Sequence, residues 1–231
     1  MHLNLAPATE ADLDEIIDSQ YRSFEEEPFH EVLYGPDTAA LRKAAKERHL
    51  KEWAEDQCVK WLKVTDADTD RIVCVGVWKI YPQYVPHPAE EVTVDWWEGK
   101  EKEMAEHTIK EVINNKHEKC KEPHVCKCSL AIHTTSAEFT GPAVVVLYML
   151  FTDPEFQRQG AGTMMVRWGC ELADHLFLPA WVDSSETAHH LYLKNGFEDV
   201  LHPSIKTEKW DTSYYVMRRP AKVPKMESKF A

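Results

Sequence analysis

The apolar run from Ala143 to Phe151, closed by Thr152, Asp153 and Pro154, constrains this chain more than any other stretch. Nine apolar residues are too few to cross a bilayer as a helix. The run is rich in valine and ends at a turn pair, which fits a strand buried on both faces of a sheet. The next residues, DPEFQRQGAGTMM, set Gly160 and Gly162 directly before an apolar helical pattern. Strand, glycine turn and helix follow without a break, and two glycines there imply a backbone that something approaches closely.

Around this unit the hydrophobic periods place further elements. Leu3 to Leu5 reads as a short strand, and Thr9 or Asp12 can cap a helix whose apolar face is Leu13, Ile16, Ile17, Tyr21 and Phe24. A second helix is predicted from Asp37 to Asp56, with Leu41, Ala45, His49 and Trp53 near helical spacing. Val59 to Val64 and Ile72 to Tyr81 are β-branched and aromatic, and the turn formers TDADTDR between them predict an antiparallel pair. The helix from Gly160 to Leu176 should set Met164, Met165, Trp168, Leu172 and Leu176 on one side as core. A strand at Ala180 to Asp183, a short helix at Glu186 to Lys194 and a closing strand at Tyr214 to Met217 complete the pattern. Residues 83–140 have too few apolar side chains for a core of their own and read as an insertion in one domain spanning 1–220. Residues 221–231 read as a frayed tail.

Charge and composition narrow the function. A hydrophobic content of 43% suffices for a sizeable core. The formal charge of -12 argues against a nucleic-acid partner and suits a cationic substrate better. The first thirty residues mix Glu, Asp and Arg and show no secretory pattern, so a cytoplasmic protein with mostly reduced cysteines and no membrane partner is expected. His117, Cys120, His124, Cys126 and Cys128 lie close together, but Cys126 and Cys128 are one residue apart, unlike the paired ligands of structural zinc sites, and no metal is expected. Trp96 and Trp97 beside Asp95 read first as ordinary packing, with an aromatic and acidic wall for a cationic amine as the alternative.

A buried strand that ends in a glycine turn and opens a helix leaves free N–H groups at a positive dipole, the setting for a phosphate. A dinucleotide fingerprint needs a third glycine where Met165 stands, and a P-loop needs Gly-Lys-Ser/Thr where Gly162 precedes Thr163. What remains is Gln157-x-x-Gly160-x-Gly162, followed by LYLKNGF with Tyr192 and Gly196-Phe197.

DPEFQRQGAG, RWGCELADHL, LPAWVDSS and LYLKNGF together resemble the GNAT superfamily of acetyl-CoA-dependent N-acetyltransferases over residues 143–201, and HLNLAPATEADLDEII resembles its opening strand and helix. The resemblance implies an α/β fold: a mixed, mostly antiparallel central sheet flanked by helices, here with a helical insertion between the third and fourth strands. It implies acetyl-CoA as cosubstrate, its pantetheine arm entering where the fourth and fifth strands splay apart. It further implies that the amides of Gln159, Gly160, Ala161, Gly162 and Thr163 cradle the pyrophosphate, with Gln157 and Arg158 beside them. The main chain of Leu150, Phe151 and Thr152 would bond the cosubstrate. Tyr192 would be the acid that protonates the leaving thiolate. For the base, Asp183 is the best-placed carboxylate, with Glu138 and His133 behind it. Some members carry Asn where Ser185 stands, and Ser184 and Ser185 read first as caps of the next helix. The expected function is acetyl transfer to a primary amine of a small molecule. A protein N-terminal or lysine acetyltransferase, or an inactive acyl-CoA-binding module, is the alternative.

Overall fold

The computed structural model describes residues 1–82, 85–86, 92–119, 139–141 and 143–222, with backbone alone at 85–86, 116–119 and 139–141. Strands β1 (Leu3–Pro7), β2 (Val59–Asp66) and β3 (Ile72–Tyr81) form an antiparallel meander. Helices α1 (Leu13–Ser23), α2 (Pro28–Tyr34) and α3 (Ala39–Glu55) lie between the first two strands in sequence. A two-residue strand β4 (Val85–Pro86), helix α4 (Gly99–Lys119) and strand β5 (Phe139–Gly141) precede the apolar strand β6 (Val144–Thr152). Then come α5 (Ala161–His175), β7 (Ala180–Ser184), α6 (His189–Leu193), β8 (Glu198–Leu201), the hairpin β9 (Ser204–Lys206) and β10 (Asp211–Ser213), and β11 (Tyr215–Arg219). The main sheet has the order β1-β2-β3-β6-β7-β11-β8, and every pairing in it is antiparallel except β6 with β7. The mixed, mostly antiparallel sheet expected from the sequence is therefore present. Among the described residues no helix is long and apolar enough to cross a membrane.

One face of the sheet carries α5 and α6, the other α1 to α4. β3 is buried almost end to end and β6 over most of its length, as a strand covered on both faces must be. α1 turns Leu13, Ile16, Ile17 and Tyr21 inward, as its spacing predicts. α4 buries Ala105, Ile109 and Val112 and packs against α2, so this part of the 83–140 segment shares the main core.

The predicted side of α5 packs on the core at Met164, Met165 and Trp168 but not at Leu172 and Leu176. Met165, Val166, Gly169, Cys170 and Ala173 face the sheet, while Leu176 is exposed. The cause is Gly169: a Cβ there would sit 2.1 Å from the Trp78 ring. Met165 likewise fills the space left by Gly76 on β3. Fitting Trp78 against bare backbone rotates the helix, and the larger Leu172 and Leu176 turn toward solvent. α2 and the strands β8 to β10 were not predicted either. Each is seven residues or fewer, too short for periodicity to mark.

Candidate active site

β6 and β7 pair only at Val145 with Ala180, Val146 with Trp181 and Leu147 with Val182. Beyond Leu147 the two strands share no pairs, while β6 stays paired with β3 as far as Thr152 and Cys74. A β-bulge marks the point of departure: Met149 and Leu147 pair with consecutive residues Val77 and Trp78, which leaves Tyr148 as the extra residue. Asp153 N–H donates to the Val73 carbonyl of β3 at 3.0 Å. Because N–H groups alternate along a strand, Leu150 and Thr152 turn theirs away from β3, toward the opening. The Gln157 side chain donates to the Thr152 carbonyl at 3.3 Å, tying the turn to the strand end.

The turn after β6 is built from left-handed residues. Arg158 has φ 62° and Gly160 has φ 97°, a region where glycine alone is unstrained. Nothing lies within 4 Å of the place a Cβ would take on Gly160, so the backbone there is open to a guest. Gly162 differs, since a Cβ would meet Leu191 at 3.4 Å and Thr152 at 3.6 Å, ordinary packing distances where α5 starts beside β6. Met164 is the first residue of α5 to bond back, to the Gly160 carbonyl. The amides of Ala161, Gly162 and Thr163 therefore have no partner within the helix. Gln159 is exposed beside them, its side chain donating to the Glu155 carbonyl at 3.4 Å. An acyl-CoA fits these features, with its pyrophosphate at the bare turn and its arm in the opening.

Tyr192 and Asp183 fall on opposite faces of the sheet. Tyr192 is 3% exposed, crosses Phe197 edge to face at 5.6 Å, and shares the α5-side core with Leu150 and Cys74. Burial, with Cys74 adding, raises its phenol above the ordinary value and keeps the proton on. Asp183 alternates with Val182 and so shares the side of Trp181, against Tyr214, whose phenol is raised by burial and then by the charge of Asp183. Ser185 accepts the Ala188 N–H at 3.4 Å in the turn before α6, whose N-cap is Ala188 and not Ser184 or Ser185 as expected. Glu138 and His133 lie outside the described residues, as do the side chains of the cluster from His117 to Cys128.

The sequence reading missed a cavity of about 580 Å³ on the α1 to α4 side, lined by Tyr21, Phe24, Glu27, His30 and Trp210 among others. It abuts the opening. Phe24 meets Phe151 of β6 edge to face at 5.7 Å, and Arg22 bonds Asp153 at 2.7 Å. Burial would raise the Asp153 carboxyl, but Arg22, the Glu155 amide and Arg71 hold it low, so this joint stays ionised. Glu27 is half-buried and makes no ion pair or hydrogen bond through its side chain among the described residues. Burial raises its carboxyl above the usual value. The one signal in the sequence was Glu27-Pro28, since proline favours the first position of a helix and holds the residue before it extended.

Residues 123–199 match the sequence model of the acetyltransferase (GNAT) domain. Among solved structures, the mosquito arylalkylamine N-acetyltransferase like 5b superposes with a TM-score of 0.59 at 12% identity, covering 94% of this chain and 99% of the other. Arylalkylamine N-acetyltransferase 2 from Aedes aegypti gives 0.59 at 12% identity, with 95% and 99% covered. A "histone acetyltransferase HPA2 and related acetyltransferase" from Corynebacterium glutamicum gives 0.58 at 16% identity, with 97% and 99% covered. This is a GNAT fold. No curated protein matches the sequence. GNAT acetyltransferases use acetyl-CoA as cosubstrate, and the parted strands and bare turn of this fold are compatible with it.

Proposed function

We propose that the protein transfers the acetyl group of acetyl-CoA to a primary amine of a small molecule, with Glu27 as the general base. The observation that carries this reading is the parting of β6 from β7 between two features: the bare Gly160 turn at the strand end and the Glu27 cavity on one face. When bound, acetyl-CoA supplies a thioester whose C–S bond is replaced by the C–N bond of an amide.

An alkylamine is almost wholly protonated at neutral pH, its pKa being about 10.4 as for lysine, so a proton must leave first. Glu27 has the better claim of the two carboxylates. It lines the cavity, its side chain makes no ion pair or hydrogen bond among the described residues, and burial brings its basicity closer to the task. Asp183 is engaged instead against Tyr214. Leu150 and Thr152 supply main-chain donors toward the opening, and Tyr192 supplies a protonated phenol from the opposite face for the departing thiolate. In this reading base and acid act from the two sides of the sheet. The amides of Gln159, Gly160, Ala161, Gly162 and Thr163 hold the phosphates, with Arg158 adding charge. The small-molecule acceptor is supported by the cavity with Tyr21, Phe24, His30 and Trp210 in its wall and by the arylalkylamine acetyltransferases among the similar structures.

The test is calorimetric titration with acetyl-CoA, followed by a thiol-release assay over a panel of amines. Gly160→Trp should weaken acetyl-CoA binding at least tenfold while the protein stays folded, because bulk and backbone strain fall on the open turn. Binding with no turnover on any amine would replace this reading with the acyl-CoA-binding module, and turnover on peptides alone with a protein acetyltransferase.

A further inference from the structure

The mouth of the cavity holds a cation site that the chain fills by itself. Trp97 and Trp210 meet edge to face at 5.3 Å. The Lys209 ammonium sits 3.7 Å from the Trp97 ring centre and 4.8 Å from that of Trp210. Glu31 completes the box: Oε1 lies 3.3 Å from Lys209 Nζ, and Oε2 accepts the Trp210 indole N–H at 2.9 Å. Two indole faces and a carboxylate are the arrangement that captures an ammonium, and here both carboxylate oxygens and both rings are already in use.

We infer that Lys209 sets the acceptor selectivity of this cavity by turning away amines that carry a second positive charge. The inference rests on the acetyl-transfer reading and adds the substrate class. Lys209, Trp210 and Glu31 line the same cavity as Glu27. The other cations there are committed, Arg42 to Asp37 at 2.6 Å and Arg22 to Asp153 at 2.7 Å. Glu25 and Glu26 are exposed, where water and salt screen them. An acceptor whose amine lies at Glu27 extends its tail toward Trp210. An aromatic or uncharged tail packs there, whereas a distal ammonium meets Lys209 and finds the Glu31 carboxylate and the two indole faces already taken. Selectivity of this kind comes from a repulsive element as much as from an attractive one.

The test compares kcat/KM for 2-phenylethylamine and 1,6-diaminohexane in the wild type, Lys209→Met, Lys209→Met with Glu31→Gln, and Lys206→Met. Methionine keeps the apolar stem and vacates the box for the diamine. The diamine-to-monoamine ratio should rise about tenfold in Lys209→Met, the range expected for an ammonium on aromatic faces, and fall back in the double variant. Lys206 is an exposed lysine on the same hairpin, paired with Asp211, and its variant should leave the ratio unchanged. A gain in one substrate cannot come from misfolding. An unchanged ratio in Lys209→Met, or an equal rise in Lys206→Met, overturns the inference and leaves acetyl transfer standing. Turnover of neither amine by the wild type overturns the inference, and turnover of no amine in the panel overturns both.

Discussion

Pro28 decides how Glu27 is used. The residue before a proline is held out of the helical region, and Glu27 has φ -97° and ψ 103° at the N-cap of α2. Its side chain makes no capping bond, so the carboxylate is left for the cavity. Replacing Glu27 by Gln should lower kcat by about 10²- to 10⁴-fold, the span typical of a lost general base, and leave the acetyl-CoA Kd within about twofold. Steady-state kinetics and calorimetry check this, and an equal loss in Asp183→Asn with none in Glu27→Gln would return the role to Asp183. A second residue-scale feature is the pair of histidines behind the cavity. Gln20, fully buried, bridges His30 at 3.1 Å and His49 at 3.3 Å. Its Nε2 donates to the His30 ring, which can accept only while it is neutral, and its Oε1 accepts from the His49 N–H. Burial lowers His30 from 6.5 to about 4, and burial with the Arg48 charge lowers His49 to about 3. Both folded values are depressed, so the unfolded chain takes up protons that the folded chain refuses as pH falls below about 6.5. Stability is full above that pH and is lost on the way down, by about 2 kcal/mol per histidine at pH 5. Thermal melts at pH 7 and pH 5 should show the fall, and a His49→Gln variant should show a shallower one; an identical slope would place the effect elsewhere.

α5 is the element whose placement depends most on single atoms. Gly169 lets the Trp78 ring lie against the helix backbone, and a methyl group there would collide with three ring atoms at 2.1 to 2.4 Å. Neither side can give easily, since Trp78 is fully buried. Gly169→Ala should cost about 1–3 kcal/mol despite the better helix propensity of alanine, and denaturant unfolding measures it. A stabilised variant would mean that α5 sits farther from β3 than described. Gly160, at the other end of the same unit, is glycine for its backbone angle and has open space around it, so its replacement should affect acetyl-CoA binding more than stability.

Across the whole molecule, the half-sheet β7-β11-β8 joins β1-β2-β3-β6 through three residue pairs. An acyl-CoA in the opening would bridge the two halves. At a concentration of 100 times Kd, acetyl-CoA should stabilise the protein by about 2.7 kcal/mol and raise Tm by roughly 5–10 °C. Hydrogen exchange should slow at Leu150, Thr152 and the amides of residues 160–163, and an unchanged pattern there would argue against this mode of binding. The long strands β3 and β6, the α1 face and the glycine turn were legible in the sequence, because a period or a backbone demand repeats over enough residues to be seen. Tyr192 and Asp183 were legible as residue types, but their separation onto opposite faces was not. A side chain's face depends on strand register, and the Tyr148 bulge, invisible in the sequence, shifts the alternation of β6. The cavity that brings Glu27, His30 and Trp210 together joins segments about 180 residues apart. The sequence by itself determined which segments are strands and helices and where an anion can approach the backbone, since those are local properties. Tertiary structure alone decided which carboxylate is half-buried and unpaired among the described residues, because burial and pairing depend on neighbours that chain order does not reveal.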